Sequence, residues 1–178
     1  MIENERNLEA NDKVVAFFEK QFDKTNYWLS FAEAKNGALI AINVAIMAVL
    51  ISIFDFAPFL CTLVMTFFLI SICICLISFI PNLDNNFSNL DVSNYENLNL
   101  LFYADIVKIG VAEKYIELVV QNYFHFDEPI IFDKQIADLA KEIIINSKIT
   151  VNKYKKFKIA LKIDFLAIIF SIMFFIVA

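Results

Sequence analysis

The sequence is poor in the residues that break helices and build turns. Its 178 residues include two glycines, three prolines and one histidine, while 60% of the side chains are hydrophobic. Turn-rich β architectures need frequent glycine and proline, so the composition predicts an all-α fold. A glycine loop that cradles phosphate is excluded on the same ground, because neither G-x-x-x-x-G-K nor G-x-G-x-x-G occurs.

Charged side chains are absent from two long apolar runs, residues 37–54 and 59–80, which flank a short break at 55–58. At about 1.5 Å per residue, helices of roughly 18 and 22 residues reach about 27 and 33 Å, enough for a hydrocarbon core of about 30 Å. We therefore predict a transmembrane hairpin. The alternative, a buried hairpin in a soluble core, is disfavoured because a soluble helix keeps a polar stripe for water.

Lysine placement predicts the orientation. The hairpin tip at 55–58 has no Lys or Arg, whereas five basic residues precede the first run and the other lysines lie between Lys108 and Lys162. The positive-inside rule then places the N-terminus and the middle region in the cytoplasm. The expected divisions are a cytoplasmic amphipathic helix (1–35, with Leu8, Val15, Phe18 and Phe22 at helical spacing), the hairpin (36–80), a polar linker (81–99), a cytoplasmic helical region (100–157) and a third transmembrane helix (158–178).

The last part of the chain predicts one long helix that leads into the third span. No Gly or Pro occurs after Lys134, and Asp133 is a candidate N-cap. The span places the C-terminus outside, with Lys158 and Lys162 reaching back to the cytoplasmic surface. Asp164 falls about one turn inside the boundary, where it pairs with either of these lysines at the headgroups or with a group on the first span.

Small residues recur along one face of the first span, which predicts close packing with another helix and a homo-oligomer. They are Gly37, Ala41, Ala45, Ala48 and Ser52. Asn43 lies in the same span, and a buried amide must be hydrogen-bonded to another helix, a second subunit or water. It is either a structural bond between helices or a pore-lining residue.

No arrangement of residues predicts catalysis, a bound metal or a cofactor. His125 has no second His or Cys nearby, and Cys61, Cys73 and Cys75 all lie in the second apolar run, where they act as small apolar residues or, at Cys75, as a lipidation site. We expect no enzyme. Nucleic-acid binding is also unsupported, because the net charge is −5.

Several short motifs resemble those of the Pycsar effector transmembrane family. Members of this family are bacterial anti-phage proteins with an architecture like that of the SLATT membrane effectors. The motifs are FAEAKN before the first span, LFYADI and EKYIEL after the linker, and the stretch from QIADLAKE to KYKKFKIAL before the last span. The resemblance covers the chain from Leu29 onward. On the family pattern it singles out Glu33, Lys35, Phe102, Asp105, Tyr115, Lys153 and Tyr154.

The resemblance implies an effector that oligomerises and disrupts the inner membrane after a nucleotide cyclase has signalled infection, so that the cell stops growing or dies. Its partners would be the lipid bilayer, further copies of the chain and, functionally, the cyclase. A cyclic nucleotide is the implied activator, but the residues that would bind it are not apparent. The other readings are a constitutive membrane scaffold or assembly partner and a small ion channel or transport accessory protein.

Overall fold

The computed structural model describes residues 2–80, 95, 97–124, 126 and 132–177, and the side chains of residues 8–172 within those ranges. Regular structure in these ranges is entirely helical, as the composition predicts. The helices are α1 (Ile2–Ser52), α2 (Pro58–Ile77), α3 (Tyr103–Ile109), α4 (Ala112–Val119) and α5 (Lys134–Val177), with a 3-10 turn at Phe54–Phe56 and a π-helical turn at Val120–Phe124. His125 and most of the linker 81–99 lie outside the described residues.

The chain divides into two compact units. One contains residues 1–29 and 83–151, and the other contains residues 30–82 and 152–178. Because α1 and α5 are continuous, each contributes residues to both units. The predicted long C-terminal helix is therefore present as α5, and the predicted amphipathic helix and first span are joined without a break in α1. The finer division at 35 and 157 stays a prediction.

The unit formed by 1–29 and 83–151 has an ordinary protein core. Its buried side chains come from α1, α3, α4, α5 and the turn before α3, and include Val14, Phe18, Leu100, Ile106, Ile109, Tyr115, Ile116, Val119, Ile136, Ala140, Ile143 and Ile144. The three- and four-residue steps of the last four place one face of α5 in this core. Gly110, at φ 71°, ends α3 in the left-handed conformation that glycine adopts without strain.

The buried face of the N-terminal part of α1 differs from the predicted stripe. Val14 and Phe18 are fully buried, but Leu8 is 62% exposed, and Gln21 and Thr25 are buried instead. Hydrogen bonds make this polar burial affordable, since the Gln21 amide donates to the Leu101 carbonyl and the Thr25 hydroxyl donates to the Gln21 carbonyl. Apolar spacing correctly predicted Phe18, with Val15 and Phe22 partly buried against the same core, but it missed the positions that the polar residues Gln21 and Thr25 occupy.

The unit formed by 30–82 and 152–178 has an apolar exterior. Two helical segments in the described residues, Leu8–Ser52 and Pro58–Ile77, are long and apolar enough to cross a membrane. Leu60, Val64, Phe68 and Ala167 pack together inside the unit. Large apolar side chains that remain exposed include Ile42, Val44, Val49, Ile51, Leu69, Ile70, Phe165, Leu166, Ile169 and Phe170. Water-soluble proteins do not expose apolar surface on this scale, so the pattern favours a lipid-facing surface.

Candidate functional site

A buried polar cluster connects the three helical segments of this second unit. The Asn43 Nδ2 of α1 lies 3.0 Å from the Ser71 Oγ of α2 and 3.2 Å from both carboxylate oxygens of Asp164 in α5. The Ser71 hydroxyl also lies 3.3 Å from the Ala160 carbonyl oxygen. Asn43, Ser71 and Asp164 are exposed by 1%, 0% and 4%. Polar groups buried this deeply fix the register of the three segments, because each loses its partner if the segments slide.

One acceptor of the polar cluster is left over. The Asn43 Oδ1 atom is buried and has no hydrogen-bond partner in the described part of the chain. An unpaired buried carbonyl costs about 1–3 kcal/mol relative to its hydrated state. The cluster is thus a polar layer in apolar surroundings with capacity to accept one more bond.

A second group of contacts lies at the C-terminal end of α2. Lys153 of α5 is 7% exposed, and its Nζ atom donates to the Ser78 carbonyl oxygen at 2.7 Å. The same atom lies 3.1 Å from the Glu33 Oε1 and 5.4 Å from the centroid of the Phe79 ring. The last carbonyls of a helix lack partners within the helix and carry partial negative charge, so a cation here is favourable.

Lys156 and Asn36 make further contacts beside Lys153. We call the group formed by Lys153, Lys156, Asn36 and Glu33 the lysine cap. The Lys156 Nζ donates to the Ile77 carbonyl oxygen at 3.0 Å. The buried Asn36 amide donates to the Ala32 carbonyl at 2.8 Å and to the Lys153 carbonyl at 3.4 Å. The two lysines and Asn36 thereby attach α1, α2 and α5 to one another at one end of the apolar segments.

Comparison with known proteins bears on these same segments. The family model described as the Pycsar effector protein domain matches residues 17–178, nearly the whole chain. The chain belongs to this family. Pycsar effectors are an anti-phage defence family linked to cyclic nucleotide signalling from a cyclase, and they are effectors rather than a known enzyme family. Neither the curated proteins nor the solved structures compared with the chain gave a match.

Four of the family-motif residues of this Pycsar effector lie together around the lysine cap. Glu33 contacts Lys153, as described above, and the Lys35 ammonium lies 5.4 Å from the centroid of the Tyr154 ring. Lys35 also lies within 4.8 Å and 5.8 Å of the Phe31 and Phe157 ring centroids. A cation over several aromatic faces keeps its charge near water while its stem stays in apolar surroundings.

The other three motif residues belong to the unit formed by 1–29 and 83–151. Phe102 is 41% exposed, and Asp105 accepts bonds from Lys108 and from the Asn99 backbone N–H. The hydrogen bond from Lys108 lowers the pKa of Asp105. Tyr115 is fully buried, its hydroxyl donates to the Leu100 carbonyl at 2.9 Å, and burial raises its pKa. These residues hold the turn before α3 against the core.

The small residues predicted as a packing face point away from the apolar bundle of the effector. Ala41, Ala45, Ala48 and Ser52 are exposed, and a Cβ atom added at Gly37 would meet nothing within 4 Å. The buried face of α1 instead carries Asn36, Leu39 and Asn43. The small-residue stripe, defined as Gly37, Ala41, Ala45, Ala48 and Ser52, thus lies outside the buried face of α1, and the Ser52 hydroxyl donates to the Val49 carbonyl of its own helix.

Sequence reasoning missed Asn36, Ser71, Ser78 and Lys156. Serines are frequent in apolar helices and usually bond to their own backbone, so Ser71 gave no signal of its own. Asn36 could have been found by the argument applied to Asn43, since an amide beside an apolar run needs a partner. In the described residues no group of three or more His, Cys, Asp or Glu side chains could hold a metal ion.

Proposed function

We propose that this chain is the membrane-disrupting effector of an anti-phage response. On infection-triggered cyclic nucleotide signalling it oligomerises in the inner membrane and permeabilises it, which arrests growth or kills the cell before phage matures. The family membership and the two apolar helices support this assignment. The activating ligand is a cyclic nucleotide made by the cyclase of the same system, and it acts on the chain directly or through a separate sensor.

We place three spans in the membrane, with the N-terminus and the middle region in the cytoplasm and the C-terminus outside. Support for the third span comes from the end of α5, where the exposed side chains of Phe165, Leu166, Ile169 and Phe170 are apolar. Lys158 and Lys162 are exposed just before them, where lysines at a membrane boundary extend toward the headgroups. The lysine-free tip between α1 and α2 is then the part on the outer side.

One observation carries the oligomer proposal, namely that α1 has two opposite faces along its apolar part. At about 100° per residue, Ala45 points roughly opposite to Asn43. Asn43 is 1% exposed and satisfied inside the unit, whereas Ala45 is exposed. A lipid-facing helix has no need of small residues, because larger apolar side chains are better solvated by lipid, but a helix that meets another helix closely does. The small-residue stripe is therefore the surface that we assign to a second copy of the chain.

The test is a bulky substitution in the stripe. Ala45→Phe adds a ring where two backbones would approach, so cells that express this variant should keep their membrane potential and exclude a DNA dye, while wild-type cells depolarise under the same signal. The matched control is Ile42→Phe, which adds a ring at a 55% exposed position outside the stripe and should act like wild type. Both variants must reach the membrane at wild-type levels.

Two outcomes would contradict the proposal. If Ala45→Phe permeabilises cells as the wild type does, the stripe is not an oligomer surface. If wild-type expression with the signal leaves the potential unchanged, the membrane-disruption assignment fails and a constitutive scaffold becomes the better reading. Cysteine cross-linking at Ala41 provides the structural readout, because a stripe-mediated dimer would place two copies of this residue within disulfide reach.

A further inference from the structure

The apolar segments of this chain carry a single kind of fixed charge. Residues 37–54 and 59–80 contain no acidic or basic side chain. In residues 163–178, Asp164 is the single charged side chain. Asp164 is 4% exposed and lies at the centre of the polar cluster with Asn43 and Ser71. Beyond the boundary lysines Lys158 and Lys162, an ion that crosses the membrane along these segments would meet a carboxylate and no basic side chain.

Several hydroxyl groups in the spans bond only within their own helix. The exposed hydroxyls of Thr62 and Thr66 donate to the backbone carbonyls of Pro58 and Thr62, each at 2.8 Å. The polar cluster differs, because its bonds run between helices and the Asn43 Oδ1 atom has no partner in the described residues. Carboxylate and amide oxygens are the groups that replace water around a dehydrated cation.

We infer that the active effector is selective for cations over anions, and that Asp164 is the residue that determines this selectivity. In the described structure the polar cluster is closed, since the Asn43 amide occupies both carboxylate oxygens of Asp164. Separation of the helices at this layer frees the carboxylate and the Asn43 carbonyl to face the ion path. The ion path then runs between the helices of each copy, past its own Asp164, and a carboxylate beside a path favours cations in channels.

The inference rests on the proposed membrane disruption and specifies what passes. General rupture of the bilayer would let anions and cations through alike. A unit negative charge about 4 Å from the path of an ion in water changes its local concentration roughly fivefold, in opposite directions for cations and anions. The two effects multiply, so a K⁺ over Cl⁻ permeability ratio of about 25 is expected for the wild-type chain.

The test is the reversal potential of the purified full chain in planar bilayers under a KCl gradient, with cyclic CMP or cyclic UMP added as the probe. The wild type should reverse near the K⁺ equilibrium potential. Asp164→Asn should conduct with a permeability ratio close to one, and Asp164→Glu should keep the wild-type ratio because it keeps the carboxylate. Asp55→Asn, which removes an exposed acid at the tip between α1 and α2, is the matched control and should also keep it.

Each alternative result is decisive. A wild-type current without preference for K⁺, or an unchanged ratio in Asp164→Asn, would overturn the inference and leave membrane disruption standing. No wild-type current with either probe would overturn the inference, and the proposed function would then require activation through a separate sensor. If Asp164→Asn carries no current at all, the test rests on the K⁺ over Cl⁻ permeability ratios of the wild type and Asp164→Glu. A ratio near one in either of these two proteins would contradict the role of Asp164.

Discussion

Removing the charge of Lys153 should release the end of α2. Lys153→Met keeps most of the apolar stem but deletes the ammonium that donates to the Ser78 carbonyl at 2.7 Å and contacts Glu33 at 3.1 Å. A buried hydrogen bond from a charged group contributes about 1.5–3 kcal/mol. Because the Glu33 side chain is 46% exposed, its ion pair adds at most about 1 kcal/mol. The expected loss is about 2–4 kcal/mol, most of it from the carbonyl bond.

The assay is amide hydrogen exchange in lipid nanodiscs, read at the last turn of α2. There the N–H groups of Ser78, Phe79 and Ile80 donate to the carbonyls of Cys75, Leu76 and Ile77. A loss of about 2–4 kcal/mol raises the opening equilibrium of this turn about thirtyfold to a thousandfold. Lys158→Met, at an exposed position one turn further along α5, is the control and should leave exchange unchanged.

A second variant shows how much of this free-energy loss comes from each of the two partners of Lys153, the Ser78 carbonyl and Glu33. Glu33→Gln alone should raise exchange by no more than about fivefold, since it removes only the half-exposed ion pair. If Lys153→Met exchanges no faster than Lys158→Met, the lysine cap does not hold this turn. If Glu33→Gln reproduces the whole effect of Lys153→Met, the ion pair and not the carbonyl bond is responsible.

Two further predictions concern the unit formed by 1–29 and 83–151. Tyr115→Phe leaves the Leu100 carbonyl without its buried donor and should lower the unfolding free energy of this unit by about 1–3 kcal/mol in thermal melts. The control is Tyr123→Phe, at a 44% exposed position, which should lower it by less than about 0.5 kcal/mol. Equal losses in the two variants would contradict the role of the Tyr115 hydrogen bond. Asp105 has a folded-state pKa below its unfolded value, so its contribution is present above pH about 4 and is lost as the pH falls through the folded-state pKa. Asp105→Asn should therefore lower stability at pH 7 by up to about 1 kcal/mol and flatten the acid limb of the pH profile, and an unchanged profile would show that the Lys108 contact is too screened to matter.

The helices themselves were largely predictable, because two glycines and three prolines leave few places to end one. The long α5 and the break at 55–58 follow from this scarcity and from Pro58 at the first turn of α2. The buried face of the N-terminal half of α1 was predictable from apolar spacing at Phe18 but not at Gln21 and Thr25, which are buried through bonds that only the folded chain provides.

The polar cluster was half predictable. The cost of burying an amide singled out Asn43, and an acid inside an apolar segment singled out Asp164. The contacts of Asn43 with Ser71 and with Asp164 join residues 28 and 121 positions apart in the sequence. They depend on how the three helices are rotated and aligned, which the sequence pattern does not give. The same limit applies to Lys153, whose motif was evident but whose target, the Ser78 carbonyl, is set by packing.

The most direct test of the central proposal is the membrane potential of living cells that express the chain, recorded together with uptake of a DNA dye before and after cyclic CMP or cyclic UMP is supplied. Depolarisation within minutes of the nucleotide, and none without it, is the predicted result. Cells that express the chain in their membrane and keep a normal potential with either nucleotide, and also during infection with the cyclase present, would contradict the assignment of this protein as a membrane-disrupting effector.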